Sequence, residues 1–365
     1  MAWNTNLTLL LVAALSAAGA EITVNGRRTS VMEGKAAQLA IDLAGGSIVD
    51  FHLTGGVNPF RWESPGGPTE PRPMGHFLCL DRWGAPSDAE KNNGMWFHGE
   101  APRVTWSVQT DAAARNGMIV TEMSAVLPMA GIEAKRHIRM AASGGWFMVR
   151  EAVTNRNKLG RVYNMVQHPT IGPPFLDEST LVDSNARQGF MQSSPMPNPE
   201  HPSVVWPQAL KDGQPVNLRH LTNDPLPNVV SYVIDEEYGW TTAASLSQQL
   251  LLGYVWKRDD YPWFNAWRHV ENGKPRARGL EFGTTGLHQP YPVLAKKGRI
   301  FGRPLFAYLD AGETQTRSYG CFLAKIPKDY KGVERIVVTS GQVVIHERGG
   351  EPGREITIRI ATDSR

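Results

Sequence analysis

The sequence contains few cysteines and no block of basic residues. Cys79 and Cys321 are the only cysteines among 365 residues, which excludes the disulfide framework of small secreted domains. Each lies in an apolar, strand-like segment, which favours two buried thiols over the alternative of one bridge. The 38 Lys and Arg nearly balance the 35 Asp and Glu, for a formal charge of +3. No Lys/Arg block exceeds two residues, so we expect neither a nucleic-acid interface nor a polybasic membrane anchor.

Long apolar runs are absent except at the N-terminus. Residues 7–18 are apolar and are followed by Ala18-Gly19-Ala20, a small-x-small cleavage pattern. This predicts a secretory signal peptide over residues 1–20 and a secreted or periplasmic protein, with an uncleaved N-terminal anchor as the alternative. No later stretch approaches the roughly 18 apolar residues that cross a bilayer. We therefore expect no membrane association after cleavage.

Helical periodicity is scarce, whereas alternation of polar and apolar residues recurs along the whole chain. Segments such as HFLCLDRW, MIVTEMSAVLP and EITIRIATD read as strands bounded by Gly, Pro, Asn and Asp. Only residues 242–252 show an apolar face at helical spacing, so the βαβ pattern of Rossmann and TIM folds is missing. We predict one all-β domain over residues 21–365 with few short helices. The Pro-rich segments 59–73 and 195–207 are predicted to be loops.

Several common site motifs are also missing. The chain has no Walker A loop, no GxGxxG after a strand, no GxSxG and no HExxH, so nucleotide binding, serine hydrolysis and zincin chemistry lack their usual signatures. The remaining candidates are polar residues that interrupt otherwise apolar strands.

Two histidines are candidates for proton transfer or ligand binding. His98 is followed by Gly99, which leaves room for a ligand beside the ring. His168 ends an apolar strand, and Pro169 restricts it to an extended conformation. A histidine held in this way suits general-acid catalysis, because its ordinary pKa lies near neutral pH. For both residues the alternative is a hydrogen-bonded structural histidine.

Glu281 is the candidate general base. It stands between Leu280 and Phe282, and alternation places it on the opposite face of its strand. If that face is concave and interior, desolvation raises the pKa of the carboxyl into the range useful for proton abstraction. If the face is exposed to solvent, Glu281 is an ordinary strand carboxylate.

A tryptophan-rich segment at 254–270 is a candidate sugar-contacting surface. Its three tryptophans and two carboxylates are Trp256, Trp263, Trp267, Asp259 and Asp260. Aromatic faces beside carboxylates can hold a pyranose ring through stacking and hydrogen bonds, although core packing explains such tryptophans equally well.

Five segments, taken in order, resemble the galactose mutarotase-like superfamily, which includes the aldose 1-epimerases. They are DRWG at 81–84, HGEAPRVTW at 98–106, VTNRN at 153–157, QHPTIG at 167–172 and GLEFGTT at 279–285. The resemblance covers most of the chain after residue 20. It implies a β-supersandwich that holds a sugar on a concave face.

The resemblance also implies roles for individual residues. His168 corresponds to the general acid and Glu281 to the general base, while His98 and Arg82 correspond to residues that bind ring or hydroxyl oxygens. Trp263 is our candidate stacking residue. The implied activity is interconversion of sugar anomers by ring opening, which requires no metal and no organic cofactor. The implied partner is a small sugar or other carbohydrate. The alternative function is that of a non-catalytic carbohydrate-binding protein or a polysaccharide-processing relative of the same fold.

Two positions depart from the family pattern. Asp81 stands where the family usually has Asn, and Glu100 stands where it usually has an aromatic residue. Both positions belong to the implied sugar pocket. His98 and Glu100 could also form half of a metal site, but no further ligand stands at matching spacing.

Overall fold

The structure is a computed structural model that describes residues 21–24, 26–220 and 223–360. Strands dominate it because apolar residues alternate with polar ones and Gly, Pro, Asn and Asp occupy the turns. The strands are β1 (Glu21–Val24), β2 (Arg27–Glu33), β3 (Ala37–Asp42), β4 (Ile48–Leu53), β5 (His76–Asp81), β6 (Ser107–Arg115), β7 (Met118–Leu127), β8 (Ile132–Ala141), β9 (Trp146–Asn155), β10 (Arg161–Ile171), β11 (Leu181–Ser184), β12 (Gln188–Met191), β13 (Val204–Val205), β14 (Gln208–Lys211), β15 (Gln214–Asn217), β16 (Val229–Val233), β17 (Tyr238–Ser245), β18 (Leu250–Lys257), β19 (Trp263–Glu271), β20 (Lys274–Gly283), β21 (Arg299–Ile300), β22 (Arg303–Pro304), β23 (Ala307–Leu309), β24 (Thr314–Lys325), β25 (Val333–Thr339), β26 (Gln342–Glu347) and β27 (Ile356–Arg359). The helices are α1 (Asp88–Asn92), α2 (Tyr291–Lys297) and a single 3-10 turn (Ala101–Arg103).

Two large antiparallel sheets form the body of the protein. The twelve-stranded front sheet runs in the order β1-β2-β3-β4-β5-β10-β20-β19-β16-β12-β13, with β23 attached to β10. The eight-stranded back sheet runs in the order β11-β17-β18-β24-β9-β8-β7-β6, and β25, β26 and β27 form a separate small sheet. The predicted all-β class and the expected β-supersandwich are confirmed. Within the described residues no helix is long and apolar enough to cross a membrane.

The main core lies between the two large sheets. Leu39, Phe51 and Leu80 of the front sheet are fully buried in one apolar cluster with Ile138 and Phe147 of the back sheet. The rings of Phe51 and Phe147 meet edge to face at 4.8 Å between centroids. Burial of each such side chain contributes about 1.5–3 kcal/mol, so this cluster fixes which face of the front sheet points inward.

A buried polar network crosses the core directly behind the candidate histidine of β10. Arg136 Nε donates to Glu151 Oε1 at 2.7 Å, and Gln167 Nε2 donates to Glu151 Oε2 at 2.5 Å. All three side chains are almost completely buried. The network satisfies their polar groups and holds Gln167 in place, which fixes the strand immediately before His168.

The helix-like pattern at 242–252 is wrong as a structural expectation. Those residues form the end of β17, a tight turn and the start of β18, and Gln249 in the turn has a φ of 51°. The strand residues of this segment are buried on both faces, so their sequence carries no period of two. Periodicity alone does not distinguish such a segment from a buried helix.

Two other expectations are confirmed. Cys79 and Cys321 are buried free thiols. The Pro-rich segments 59–73 and 195–207 are loops, apart from an isolated bridge at Glu63 and the two-residue strand β13.

Candidate functional site

His168 and Glu281 meet on the outer face of the front sheet. Gln167 on β10 pairs with Phe282 on β20, and both of these side chains are buried toward the core. Because successive side chains point to opposite faces, the next residue on β10 and the preceding residue on β20 share the outer face. His168 Nε2 lies 3.1 Å from Glu281 Oε1. The structure therefore brings together the two residues that the sequence assigned to proton transfer.

Three side chains fix the orientation of this pair. The Trp83 indole N–H donates to Glu281 Oε2 at 2.7 Å. On the other side, His168 Nδ1 lies 2.9 Å from the Thr170 hydroxyl. The Phe77 ring stacks on the imidazole with centroids 4.1 Å apart. Neither member of the pair can rotate without losing a hydrogen bond.

Burial sets the protonation of the pair. The side chains of His168 and Glu281 are only 6% and 1% exposed. Burial lowers the pKa of the His168 imidazole to about 3, and it raises the pKa of the Glu281 carboxyl well above its ordinary value, against the lowering effect of the Trp83 hydrogen bond. Both shifts disfavour the charged forms. Burial therefore favours a neutral imidazole beside a protonated carboxyl over an ion pair of the two groups.

His98 lies beside the pair and offers a hydrogen-bond donor. Its ring centroid is 5.5 Å from that of His168, and its Nδ1 accepts the Gly84 backbone N–H at 3.1 Å. Burial lowers the pKa of His98 well below its ordinary value, so the neutral ring carries its proton on Nε2. The residue has a φ of 67°, and such strained backbone is frequent at functional sites.

Gly99 explains how His98 is held in this conformation. Its φ is 78°, and a Cβ at this position would lie 2.0 Å from the Leu80 carbonyl oxygen. No side chain fits there, so glycine allows the loop to pack against β5. The sequence predicted that Gly99 leaves room for a ligand beside the His98 ring. In the structure Gly99 instead allows close packing of the backbone against β5.

His288 is a site residue that the sequence analysis missed. Its ring centroid lies 5.6 Å from that of His98 and 4.6 Å from that of Trp83. Gln192 Oε1 accepts the backbone N–H of His288 at 3.0 Å, and burial lowers the pKa of the imidazole to about 4. One signal was available: the histidine stands two residues before Pro290 in the segment that follows the GLEFGTT motif.

Of the three tryptophans in segment 254–270, the one that lies beside the pair is Trp267, not Trp263. The Trp267 ring lies 5.8 Å from the His168 ring and is partly exposed. Trp263 is fully buried, its indole N–H donates to the Pro304 carbonyl at 2.8 Å, and it packs with Phe190. The two tryptophans share one face of β19, but the segment around α2 covers Trp263. Trp263 is therefore a packing residue, which corrects its predicted stacking role.

Arg82 is held by acidic neighbours. Its Nη2 lies 2.7 Å from Asp81 Oδ2 and 2.9 Å from Glu90 Oε1, and its guanidinium lies 5.2 Å from the Tyr291 ring centre. Asp81 also pairs with Arg161. These contacts tie α1 and α2 to the end of β5. In this structure the donors of Arg82 bind carboxylates, so the predicted contact with sugar oxygens does not fit its position.

The other acidic candidates serve the fold. Asp259 is largely exposed, and Asp260 accepts the Ser318 backbone N–H at 3.1 Å on the back sheet. Glu100 is buried and accepts the Ala130 backbone N–H at 2.7 Å. Within the part of the chain that the structure describes, no three His, Cys, Asp or Glu side chains converge as a metal site.

The fold is similar to that of solved sugar-epimerase-like proteins. A galactose mutarotase-like protein from Clostridium acetobutylicum matches with a TM-score of 0.61 at 12% identity, over 82% of this chain and 96% of that chain. A galactose mutarotase related enzyme from Lactobacillus acidophilus matches with a TM-score of 0.59 at 11% identity, over 82% and 98%. A proposed aldose 1-epimerase from Klebsiella pneumoniae matches with a TM-score of 0.58 at 15% identity, over 83% and 81%.

Comparison of the sequence alone finds no relative: no protein-family model and no curated protein matches this chain. At these identities the structural matches establish the architecture. They agree with the family to which the five sequence motifs pointed. The chain has the galactose mutarotase-like fold.

Proposed function

We propose that the protein is an exported aldose 1-epimerase that interconverts the anomers of a sugar with a free anomeric carbon. One observation carries this proposal: a buried histidine nitrogen and a buried carboxyl oxygen lie 3.1 Å apart on the outer face of the front sheet. In the proposed mechanism the two groups share one proton. A general acid and a general base at this separation can act on two oxygens bound to the same carbon. The named structural neighbours include proteins described as epimerases and mutarotases.

The reaction follows from the movement of that proton. When the sugar enters, its O1 hydroxyl and ring oxygen replace the direct contact between His168 and Glu281. These new hydrogen bonds favour the ion-pair form of the pair. The Glu281 carboxylate then removes the proton from O1, and the His168 imidazolium donates a proton to the ring oxygen. The bond from C1 to the ring oxygen breaks and an aldehyde forms at C1.

Reclosure uses the same groups in reverse. After rotation about the C1–C2 bond, the ring oxygen attacks the other face of the aldehyde. His168 takes back the proton from the ring oxygen and Glu281 returns one to O1. The enzyme ends in its starting state, so no proton donor from outside the pair is needed.

Neighbouring groups are placed to orient the sugar. The Nε2–H of His98 can donate to a hydroxyl, and the partly exposed Trp267 presents an aromatic face beside His168. His288 adds a second neutral imidazole on the same side. All three lie within the aromatic cluster that surrounds the acid–base pair.

Anomer exchange measured by proton NMR tests this proposal. Freshly dissolved glucose, galactose, mannose and xylose are followed with the mature protein, with Glu281→Gln and with His168→Ala. We expect faster interconversion of at least one sugar, and a loss of about 10²- to 10⁴-fold in each variant. Exchange no faster than in buffer for every sugar, together with line broadening on binding, would support the non-catalytic alternative instead.

Two matched controls separate catalysis from general damage. Glu122→Gln removes an exposed strand carboxylate, and His201→Ala removes an exposed histidine that also precedes a proline. Both should retain the wild-type rate. A comparable loss in either control would show that the losses at the site are not specific.

Export is the second part of the proposal. The apolar segment and the small-x-small pattern before Glu21 support it; residues 1–20 lie outside the described residues. Expression of the full chain in a Gram-negative host should give a periplasmic protein whose first residue is Glu21. A full-length protein found only in the cytoplasm would contradict export.

A further inference from the structure

A long groove lies on the same face of the front sheet as the catalytic pair. It has a volume of about 930 Å³ and runs over β2, β3 and β4. Gln38 and His52 lie opposite each other on neighbouring strands of this groove. Leu39 and Phe51, the next residues on those strands, are buried in the core. Alternation therefore directs the groove residues outward, as it does His168.

An aromatic path connects this groove to the acid–base pair. Trp62 lines the groove and is partly exposed. Its ring stacks on Phe77 at 6.0 Å and meets Trp267 edge to face at 5.8 Å. Phe77 in turn stacks on His168. Ring contacts through Trp62 thus connect the groove to the acid–base pair.

The groove wall carries polar side chains suited to hydroxyl groups. Asp50 Oδ1 lies 2.8 Å from His52 Nδ1, and Gln38 Nε2 lies 3.4 Å from Asp50 Oδ2. All three side chains are only half-buried. A row of carboxylate, imidazole and amide groups beside an aromatic platform offers both donors and acceptors to a polyhydroxylated ligand.

The charges of the groove favour an uncharged ligand. Its arginines and carboxylates are present in nearly equal numbers. Arg27 donates two hydrogen bonds to Asp42, at 2.9 and 2.7 Å, and Arg72 donates to Glu63 at 2.6 Å. These arginines are neutralised, so the groove does not collect the excess positive charge that a polyanion would need.

We infer that the substrate is the reducing end of a neutral oligosaccharide, whose further sugar units lie along this groove. The inference rests on the proposed function, because anomer exchange needs a free anomeric carbon and only the reducing-end unit has one. With O1 at Glu281 and the ring oxygen at His168, C5 lies on the Phe77 side of the pocket. That side continues across β4 and β3 into the groove. Three inter-strand spacings from β2 to β5 give about 14 Å, which accommodates more than one sugar ring.

The test compares sugars of one series at increasing length. The monosaccharide that wild type interconverts fastest is compared with its β-1,4-linked di- and tetrasaccharide, for example glucose with cellobiose and cellotetraose. We expect kcat/KM for reducing-end anomer exchange to rise by about tenfold or more from monosaccharide to tetrasaccharide, mainly through KM. Equal kcat/KM values for the monosaccharide and the tetrasaccharide in every active series would overturn the inference while leaving the epimerase proposal intact.

A groove variant tests whether the preference for the longer sugar depends on the groove. The double variant Gln38→Ala/Asp50→Ala should bring the ratio of tetrasaccharide to monosaccharide kcat/KM close to one. Gln109→Ala, which removes an exposed glutamine from β6, is the matched control and should keep the wild-type ratio. An unchanged ratio in the groove variant would contradict the assignment of the groove.

Calorimetric titration distinguishes failure of the inference from failure of the proposed function. If no sugar is interconverted, the epimerase proposal fails. In that case tighter binding of tetrasaccharide than of monosaccharide by wild type, lost in the groove variant, still supports the groove. Equal Kd values for both ligands would overturn the inference without reference to turnover.

Discussion

At the scale of single residues, the proposed chemistry depends on one proton shared by two buried groups. His168 and Glu281 are paired at 3.1 Å, and burial disfavours charge on both. The hydrogen bond from Trp83 acts in the opposite direction and stabilises the carboxylate. The balance between burial and this bond decides how readily the carboxylate forms when the sugar arrives.

The first prediction at this scale concerns pH. Burial lowers the pKa of His168 to about 3 and raises that of Glu281, so the singly protonated pair should persist from acidic to neutral pH. After subtraction of the buffer rate, kcat/KM at pH 5 should equal that at pH 7. If His168 had the ordinary histidine pKa of about 6.5, it would be charged at pH 5, and kcat/KM would fall about twentyfold from pH 7 to pH 5. Such a loss would contradict the shared-proton account.

The second prediction concerns Trp83. Trp83→Phe keeps an aromatic ring but removes the N–H that donates to Glu281, so the pKa of the carboxyl should rise further. Less carboxylate forms on binding, and kcat should fall by about tenfold or more while the alkaline limb of the pH–rate profile moves to higher pH. Trp263→Phe removes an indole N–H that donates to a carbonyl instead. It should leave the pH–rate profile in place, and a shifted limb in that variant would contradict the assignment.

At the scale of elements, the loop that carries His98 is held by its close approach to β5. Gly99 has a φ of 78°, and a Cβ there would overlap the Leu80 carbonyl oxygen. Gly213 has a similar φ of 76° with no heavy atom within 4 Å of the Cβ position. Substitutions at these two glycines therefore separate the free-energy cost of backbone strain from that of steric overlap.

The corresponding prediction compares Gly99→Ala with Gly213→Ala. Gly213→Ala should lower the free energy of unfolding by about 1 kcal/mol through strain alone. Gly99→Ala should cost more, about 1–3 kcal/mol beyond that, and should lower kcat/KM because His98 moves with the loop. Denaturant unfolding and the anomer-exchange rate measure the two effects. Equal losses of stability would contradict the packing described for Gly99.

Elements also show how much the sequence could predict. Strands with one exposed face, such as β7 and β8, have alternating sequences that predict them, whereas residues 242–245 and 250–252 are buried on both faces and lack that alternation. The pairing of His168 with Glu281 was accessible through family motifs. Trp263 and Trp267 lie on the same face of one strand, so only the packing of the α2 segment, which no local pattern records, decides which of them reaches the site.

Particular side-chain contacts account for the remaining differences. Arg82 occupies a motif position of the family, yet the neighbouring Asp81 and the helix residue Glu90 hold its guanidinium. His288 reaches the site because Gln192, on a distant segment, holds its backbone. Sequence spacing contains no information about either contact.

At the scale of the whole molecule, the structure contains uncharged histidines that are buried (His76 and His168) or half-buried (His98 and His288). Burial lowers the pKa of His76 to about 3, of His168 to about 3 and of His288 to about 4, and it lowers that of His98 as well. In the unfolded chain these side chains take up protons below about pH 6.5. The unfolded state then binds more protons than the folded state, so stability falls as the pH falls.

The resulting prediction is a steep loss of stability in mild acid. Each such histidine contributes about 1.4 kcal/mol per pH unit between pH 6.5 and its own folded pKa. His76→Gln, at a fully buried position behind the site, should make the decline shallower by about that slope, even if the variant is less stable at pH 7. Urea unfolding at pH 7, 6 and 5 measures the slopes. Parallel declines for wild type and variant would contradict a neutral, buried His76.

The two faces of the front sheet have different roles in the fold and in the proposed function. One face packs against the back sheet and supplies the core, and the other carries the acid–base pair and the adjoining groove. β10 contributes to both, because Gln167 belongs to the buried polar network and His168 belongs to the site. In the proposed mechanism, proton transfer therefore takes place on a strand that the core holds rigidly.

The most direct test of the central claim is the anomer-exchange rate of wild type, His168→Asn, Glu281→Gln and the double variant on the best substrate. Because the two residues share one proton, they should act as a unit. Each single variant should lose about 10²- to 10⁴-fold, and the double variant should lose little more than either single one. Losses that multiply in the double variant, or a single variant that keeps the wild-type rate, would contradict the account.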